Sequence, residues 1–375
     1  MRRPSSPTWA IVAGGGTAGG TLPGVAVAQA LVKRGHDPAT IHFVGSRRGQ
    51  EAKLVGDAGF SITLLPGRGV ARRLTLANVG AVLGILGGML RALAIVARRR
   101  PAVVVSVGQY ASVPCAVAAV VLRVPLVLVA ADAVPGASLR IVGRFAAASA
   151  VALEGTPLPR AVVTGSPVRP EIQAVDRSPG AKEAARRELS IPADRAVVGV
   201  FGGSLGARHI NETVLDLVER WQGRADVAVR HAIGRRDWPV LQAKLPVPPP
   251  DGLAYQAVEY EDRMPLLLAA ADVMVTRAGG STVAELTVAG VPAVLVPLPG
   301  APGDHQTANA RVLERAGAAV LLADADLGVD RLDAVLAPLL ADRERLGVMA
   351  KASSALGRRD AADAVADVVE RHARH

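Results

Sequence analysis

Residues 13–24 read AGGGTAGGTLPG, six glycines in twelve positions, directly after the apolar run WAIVAGG at 9–15. A helical pattern follows. A strand, a glycine turn and a helix in that order let a ligand come close to the backbone, with the helix N-terminus aimed at negative charge. Gly14, Gly16 and Gly19 fit the G-x-G-x-x-G spacing of a dinucleotide fingerprint. The plan recurs outward from this stretch. The first half carries further apolar runs at 40–45, 61–66, 102–108, 125–131 and 160–165, and the second half at 196–203, 227–234, 253–258, 272–279 and 292–297. Near-continuous apolar strands separated by helical patterns predict parallel sheets covered on both faces. VAGGGTAGG and VFGGSLGA hold equivalent places in the two halves, so the chain reads as two doubly wound α/β domains facing a cleft. The break falls at GSPVRPEI (165–172), where Pro and Gly interrupt the pattern.

Totals narrow the classes. The chain has 375 residues, half of them apolar, a fifth charged and 3 % aromatic, a globular composition with room for two cores. One cysteine, Cys115, excludes an intramolecular disulfide framework. MRRPSSPTW lacks an apolar h-region, so no signal peptide is expected. The net charge of +10 is uneven: residues 1–165 hold 18 Lys and Arg against five Asp and Glu, and residues 166–375 hold 25 against 28. The basic half is expected to face an anionic partner. Aromatic–basic interleaving is missing, which disfavours nucleic acid and leaves an acidic lipid surface. The segment 79–96, VGAVLGILGGMLRALAIV, sits between Arg72/Arg73 and Arg98–Arg100. Leu76, Val79, Leu83, Leu86, Leu90 and Leu93 recur at helical steps. Four glycines and Arg91 argue against a membrane span, leaving a buried helix or an apolar patch resting on a bilayer.

In the first half, GSRRG at 45–49 offers arginines where an NADP enzyme would place them, so an NADP oxidoreductase is open at this point. The second half weighs against it. FGGSLGARHIN (201–211) is another strand–glycine–helix turn, in which Ser204 can donate to a phosphate. TRAGGSTVAEL (276–286) opens a further helix, with Ser281 or Thr282 as its expected cap. Glu285 falls in its first turns, where a carboxylate can accept both hydroxyls of a ribose. PGDHQTANA (302–310) supplies His305, Gln306 and Asn309, side chains suited to sugar hydroxyls.

The ordered set GGGTAGG…PG, YASVP, AVPGA, GSPVR, GGSLGARHIN, RAGGSTVAE and DHQTANA runs through nearly the whole chain. It resembles the MurG family, transferases that move N-acetylglucosamine from UDP-N-acetylglucosamine to the lipid-linked muramoyl-peptide intermediate of peptidoglycan synthesis. The resemblance implies a GT-B fold, with an acceptor and membrane-facing domain at 1–166, a UDP-sugar-binding domain at 167–354 and a C-terminal helix at about 355–375 packing back on the first. It implies inverting transfer with no metal and no cofactor beyond the UDP-sugar donor. It also implies an undecaprenyl-linked acceptor and a peripheral place on the cytoplasmic face of the cell membrane. Carried onto this sequence, Arg169 and Ser204 hold the diphosphate, backbone near Glu261 reads the uracil and Glu285 holds the ribose. Gly280, Ser281, Thr282, His305, Gln306 and Asn309 line the donor side, and Thr17, Ala18, Gly19, Gly20, Tyr110 and Asp132 the acceptor side.

Four departures fall on the acceptor side. Gly20 stands where the family places a histidine. VAADAVPG (129–136) replaces a His–Glu–Gln–Asn run, one residue shorter, with Asp132 nearest the asparagine. GQY (108–110) replaces GGY, and GSPVR (165–169) replaces GNPVR. The leaving-group machinery is intact while the histidine is gone, so Asp132 is the candidate base; as a plain loop residue it would cap the helix that follows. A GT-B transferase with another acceptor and a non-catalytic UDP-sugar-binding relative are the alternative readings.

Overall fold

The computed structural model describes residues 8–15, 18–47, 51–66, 77–203 and 206–374, with side chains for all of these except 18, 77–86, 109 and 110. The chain divides into two compact units, Met1–Arg169 with Arg358–His375, and Pro170–Gly357.

Unit 1 runs β1 (Ala10–Ala13), α1 (Ala18–Lys33), β2 (Ile41–Ser46), α2 (Glu51–Asp57), β3 (Ser61–Leu65), α3 (Ala77–Arg99), β4 (Val103–Ser106), α4 (Gln109–Val121), β5 (Leu126–Ala130), α5 (Ala137–Gly143), β6 (Ala148–Val151) and β7 (Ala161–Val163). Unit 2 runs α6 (Pro170–Gln173), α7 (Pro179–Glu188), β8 (Ala196–Phe201), α8 (Arg208–Arg220), β9 (Val227–Ala232), α9 (Trp238–Leu241), β10 (Ala254–Val258), α10 (Met264–Ala270), β11 (Val273–Thr276), α11 (Gly280–Ala289), β12 (Ala293–Leu295), α12 (His305–Arg315), β13 (Ala319–Leu321), α13 (Val329–Ala341) and α14 (Arg343–Leu356). The last helix, α15 (Ala361–His372), belongs to unit 1.

The sheet of unit 1 has the order β3-β2-β1-β4-β5-β6-β7 and that of unit 2 the order β10-β9-β8-β11-β12-β13. The pairings are parallel, for example Ala10↔Ile41 and Ala10↔Val103 on the two sides of β1, and Val273↔Val198 between β11 and β8. Strands β1, β4 and β5 are buried throughout because helices cover both faces. Alternate side chains point to opposite cores: Val12 joins Leu31 of α1, and Ile11 joins Ala92 of α3 and Cys115 of α4. The apolar face of α15, Val365, Ala366, Val368 and Val369, lies in the cluster with α1. Arg34 pairs there with Asp367 and donates to Glu370 at 3.0 Å, and His36 bonds Glu370 at 2.9 Å while stacking on Trp9 at 3.8 Å. His36 is thereby part of the fastening.

Two points differ from the sequence expectations. Strands β6 and β13 were not anticipated, because ASAV and AVL lie in alanine-rich runs that suit a helix equally well. In α3 the buried stripe is Gly88, Ala92 and Val96, whereas Leu90 is 70 % exposed. The small residues let the helix sit close: a Cβ on Gly88 would press on the Pro66 carbonyl. The earlier members of the predicted leucine face lie outside the described side chains. Among the described residues, no helix is long and apolar enough to cross a membrane.

Candidate functional site

In a doubly wound sheet, ligands bind beyond the carboxyl ends of the strands where the strand order reverses. In unit 2 that point lies between the neighbouring strands β8 and β11. β8 leads through Gly202–Ala207 into α8, and β11 leads through Arg277–Gly279 into α11. Two helix N-termini therefore open side by side from the ends of adjacent strands, each carrying about half a positive charge.

The first turn rests on a buried polar network. Gly206 has φ +96°, and a Cβ there would collide with the Ile233 carbonyl and the Asp237 carboxylate. Only glycine suits both demands. Asp237 is fully buried and accepts from Arg236 Nε at 2.9 Å, Arg208 Nη2 at 3.4 Å and Asn211 Nδ2 at 3.1 Å. Burial pushes its carboxyl pKa up, but Arg236 and Arg208 outweigh burial and hold it below the ordinary value. Asn211 Nδ2 also donates to Ile233 O at 2.9 Å, and its Oδ1 accepts from His231 Nε2 at 3.0 Å. His231 Nδ1 then accepts from Tyr255 Oη at 3.1 Å, so the ring is neutral. Burial drives its pKa down to about 3. In the sequence only the glycines and Ser204 signal this turn. Asn211, His231 and Asp237 carried no local signal, since they converge from α8, β9 and the start of α9. Ser204 itself lies outside the described residues.

The second turn is clasped from α12. Gln306 Oε1 accepts from Ala278 N at 3.2 Å and Leu298 N at 2.9 Å, and Asn309 Nδ2 donates to Ala278 O at 2.9 Å. The peptide groups flanking Ala278 are thus fixed at both N–H and C=O. Asn309 is fully buried, so its position serves the turn; Gln306 and His305 are half-buried, with His305 Nδ1 bonded to Pro302 O at 2.9 Å. The expected cap is corrected: Gly279 is the N-cap of α11, without a side-chain bond, and Ser281 and Thr282 stand inside the first turn. Gly280 is buried, and Ser281, Thr282 and Glu285 are half-buried on the first two turns. Beside them Arg277 Nη1 donates to Val296 O, Pro297 O and Asp324 Oδ1, and Asp324 also bonds His209 Nδ1 at 3.1 Å. Burial raises the Asp324 pKa, but Arg277 and His209 hold it below its ordinary value.

Glu261 follows β10 on a loop into α10. Its side chain is buried against Arg230 of β9 at 2.5 Å.

In unit 1 the order reverses between β1 and β4. The glycine turn follows β1, and Gly108, the N-cap of α4, follows β4. Gly19 is half-buried and Gly20 buried at the start of α1. Glu51, which carries no sequence motif, is buried here. It accepts from Ser46 N at 3.2 Å and packs against Gly15, whose φ is +131°. Thr17 lies outside the described residues, as do the side chains of Ala18 and Tyr110. Asp132 is half-buried between β5 and α5. It does not cap α5, whose N-cap is Gly136. Arg169 is half-buried at the end of unit 1. Among the described residues no group of three or more His, Cys, Asp and Glu side chains is placed to hold a metal ion.

The Glycosyltransferase family 28 N-terminal domain matches residues 10–151 and the Glycosyltransferase family 28 C-terminal domain matches residues 197–365. A UDP-N-acetylglucosamine–N-acetylmuramyl-(pentapeptide) pyrophosphoryl-undecaprenol N-acetylglucosamine transferase from Desulforudis audaxviator is 37 % identical, covering 96 % of this chain and 97 % of its own. The transferase of that name from Acidothermus cellulolyticus is 40 % identical over 97 % of both chains. The crystal structure of Acinetobacter baumannii MurG superposes with a TM-score of 0.74 at 26 % identity, covering 96 % of this chain and 99 % of the other. Two parallel-sheet units with glycine turns at both reversal points, matched over nearly the full length of these relatives, establish that the chain belongs to the MurG family of glycosyltransferases.

Proposed function

We propose that this chain transfers N-acetylglucosamine from UDP-N-acetylglucosamine to the undecaprenyl-linked muramoyl-pentapeptide, with inversion at the anomeric carbon. The observation that carries this reading is the paired N-termini of α8 and α11 at the reversal point of unit 2, with the Ala278 peptide groups clasped by Gln306 and Asn309. In this reading the diphosphate lies on the Gly202–Ala207 turn, with Ser204 and Arg169 as donors, and Glu285 accepts from the ribose hydroxyls. The backbone at Glu261 meets the uracil, while Gly280, Ser281, Thr282, His305 and Gln306 line the sugar. Asn309 acts through Ala278.

The acceptor hydroxyl attacks the anomeric carbon as the bond to the diphosphate breaks. Charge develops on the departing diphosphate, and fixed N–H groups and a guanidinium stabilise it without reorganisation. No metal is required in this scheme. The acceptor meets unit 1 at Thr17, Ala18, Gly19, Gly20, Tyr110 and Asp132. Asp132 takes the hydroxyl proton in place of the family's histidine; a positioned base contributes about 10²–10⁴-fold.

The chain works as a peripheral protein on the cytoplasmic membrane face. Leu90 of α3, Val121 of α4, Ile141 of α5 and Phe145 just beyond α5 are each more than 60 % exposed. Arg91, Arg98, Arg123, Arg140 and Arg144 are exposed on the same elements and connections. Apolar side chains among arginines suit an anionic bilayer.

The test is a transfer assay with UDP-N-acetylglucosamine and the lipid-linked acceptor, on the unaltered chain and Asp132→Asn. Glycosylated lipid from the unaltered chain, and a loss of 10²-fold or more in the variant, is the expected result. Turnover only with another acceptor, or UDP-sugar binding without turnover, would replace this reading with one of the two alternatives. Full activity of Asp132→Asn would remove Asp132 from the proton transfer.

A further inference from the structure

The loop between β10 and α10 is held from beneath by charge. Arg230 projects from β9 with its side chain 9 % exposed, and Glu261 is 2 % exposed. Arg230 Nε donates to Glu261 Oε2 at 2.5 Å, and Arg230 Nη1 to Gln256 Oε1 at 2.8 Å. Gln256 Nε2 donates onward to Ser190 O at 2.8 Å. The other carboxylate oxygen of Glu261 accepts from Arg263 N at 3.0 Å, and Arg263 Nη1 donates to Glu188 O at 3.0 Å. At the start of the loop, Glu259 O accepts from Gly234 N at 2.8 Å. Glu261 Oε2 thus ties the loop to β9, Oε1 braces the loop on itself at Arg263 N, and the Arg263 side chain ties it to the end of α7.

A buried ion pair is a weak source of stability, because desolvation offsets its attraction and an apolar pair of similar volume serves as well. What a forked guanidinium and a carboxylate supply is direction. Direction matters here because a backbone reader must discriminate between pyrimidines. Uracil presents an O4 acceptor and an N3–H donor, whereas cytosine presents an N4 amino donor and an N3 acceptor. A peptide N–H and C=O held in one orientation suit the first pattern and oppose the second.

We propose that the Arg230–Glu261 pair positions the base-reading backbone and thereby selects uridine over cytidine diphosphates. This rests on the uracil reading given above for residue 261. Arg230 and the Glu261 carboxylate are positioning groups that do not touch the nucleotide. The test is calorimetric titration of the full chain with UDP and with CDP, on the unaltered protein, Arg230→Met and Glu261→Gln. Glu261→Gln keeps the side-chain shape and carries the test where Arg230→Met fails to fold. The unaltered protein is expected to prefer UDP by about tenfold or more, the worth of a directed hydrogen bond. In each folded variant UDP affinity falls about tenfold while CDP affinity holds, and the kinetic loss falls on the donor KM rather than on kcat. A retained UDP preference in the folded variants overturns the pair's role, and so does an equal loss for both nucleotides. No preference in the unaltered protein overturns the uracil reading itself, and this proposal with it.

Discussion

Replacing Asn309 tests whether the clasp on Ala278 serves the donor site or only the fold. The side chain is fully buried, and its Nδ2 donates to Ala278 O at 2.9 Å. Asn309→Ala leaves that carbonyl without this donor, at a cost of about 1–3 kcal/mol. At a central value near 2 kcal/mol, and with about 2–4 °C per kcal/mol for a unit of this size, Tm falls by roughly 4–8 °C. Asn309→Asp keeps the volume but sets a carboxylate oxygen against the carbonyl, so it destabilises more than Asn309→Ala. Ala278 lies two residues before Gly280, so a displaced peptide moves the N-terminus of α11 and the side chains of Ser281 and Thr282. The donor KM is then expected to rise about tenfold, the equivalent of one lost hydrogen bond. Differential scanning fluorimetry with and without UDP-N-acetylglucosamine, followed by steady-state kinetics, reads both effects. Asn309→Asp as stable as the unaltered chain would refute the bonding assignment. A lowered Tm with an unchanged donor KM would refute the link from clasp to site.

Glu285→Ala is expected to raise the donor KM about tenfold or more, as loss of a charged acceptor of ribose hydroxyls, and to leave the acceptor KM near its starting value; equal changes in both would contradict the assignment. Ile141→Asp/Phe145→Asp should weaken binding to anionic vesicles in a flotation assay, with the remaining binding more sensitive to salt; undiminished binding would place the membrane surface elsewhere. His231 is held neutral, its pKa down at about 3. Between its unfolded value near 6.5 and that value the unfolded chain binds the extra proton, so stability falls as pH falls. Urea unfolding is expected to show a loss of about 2 kcal/mol from this group between pH 7 and pH 5, and a pH-independent free energy over that range would exclude it.

The strands that span the middle of each sheet were legible because their sequences, AIVA, VVVS, LVLVA and AVVGVF, are almost continuously apolar, as double-sided burial requires. The glycine turns were legible for the same kind of reason: positions such as Gly206 admit no side chain. What escaped was set by distant partners. β6 and β13 are strands by virtue of their neighbours rather than of ASAV and AVL. Asp237, His231 and Arg230 carry no motif, and their roles follow from where β9, α8 and the loop after β10 bring them together. Glu51 lay within a polar run whose helical start gave no hint that its carboxylate would be buried beside Gly15. Capping also misled, since a Ser-Thr pair beside two glycines suggests a side-chain cap, while the backbone placed Gly279 there.

In the proposed function, unit 2 grips a uridine diphosphate at the junction of β8 and β11. A crystal structure of the chain with UDP-N-acetylglucosamine tests it most directly. Diphosphate density is expected on the 202–207 turn, with ribose hydroxyls within hydrogen-bond distance of the Glu285 carboxylate. A nucleotide bound elsewhere, with that turn and Glu285 empty at saturating ligand, would contradict it.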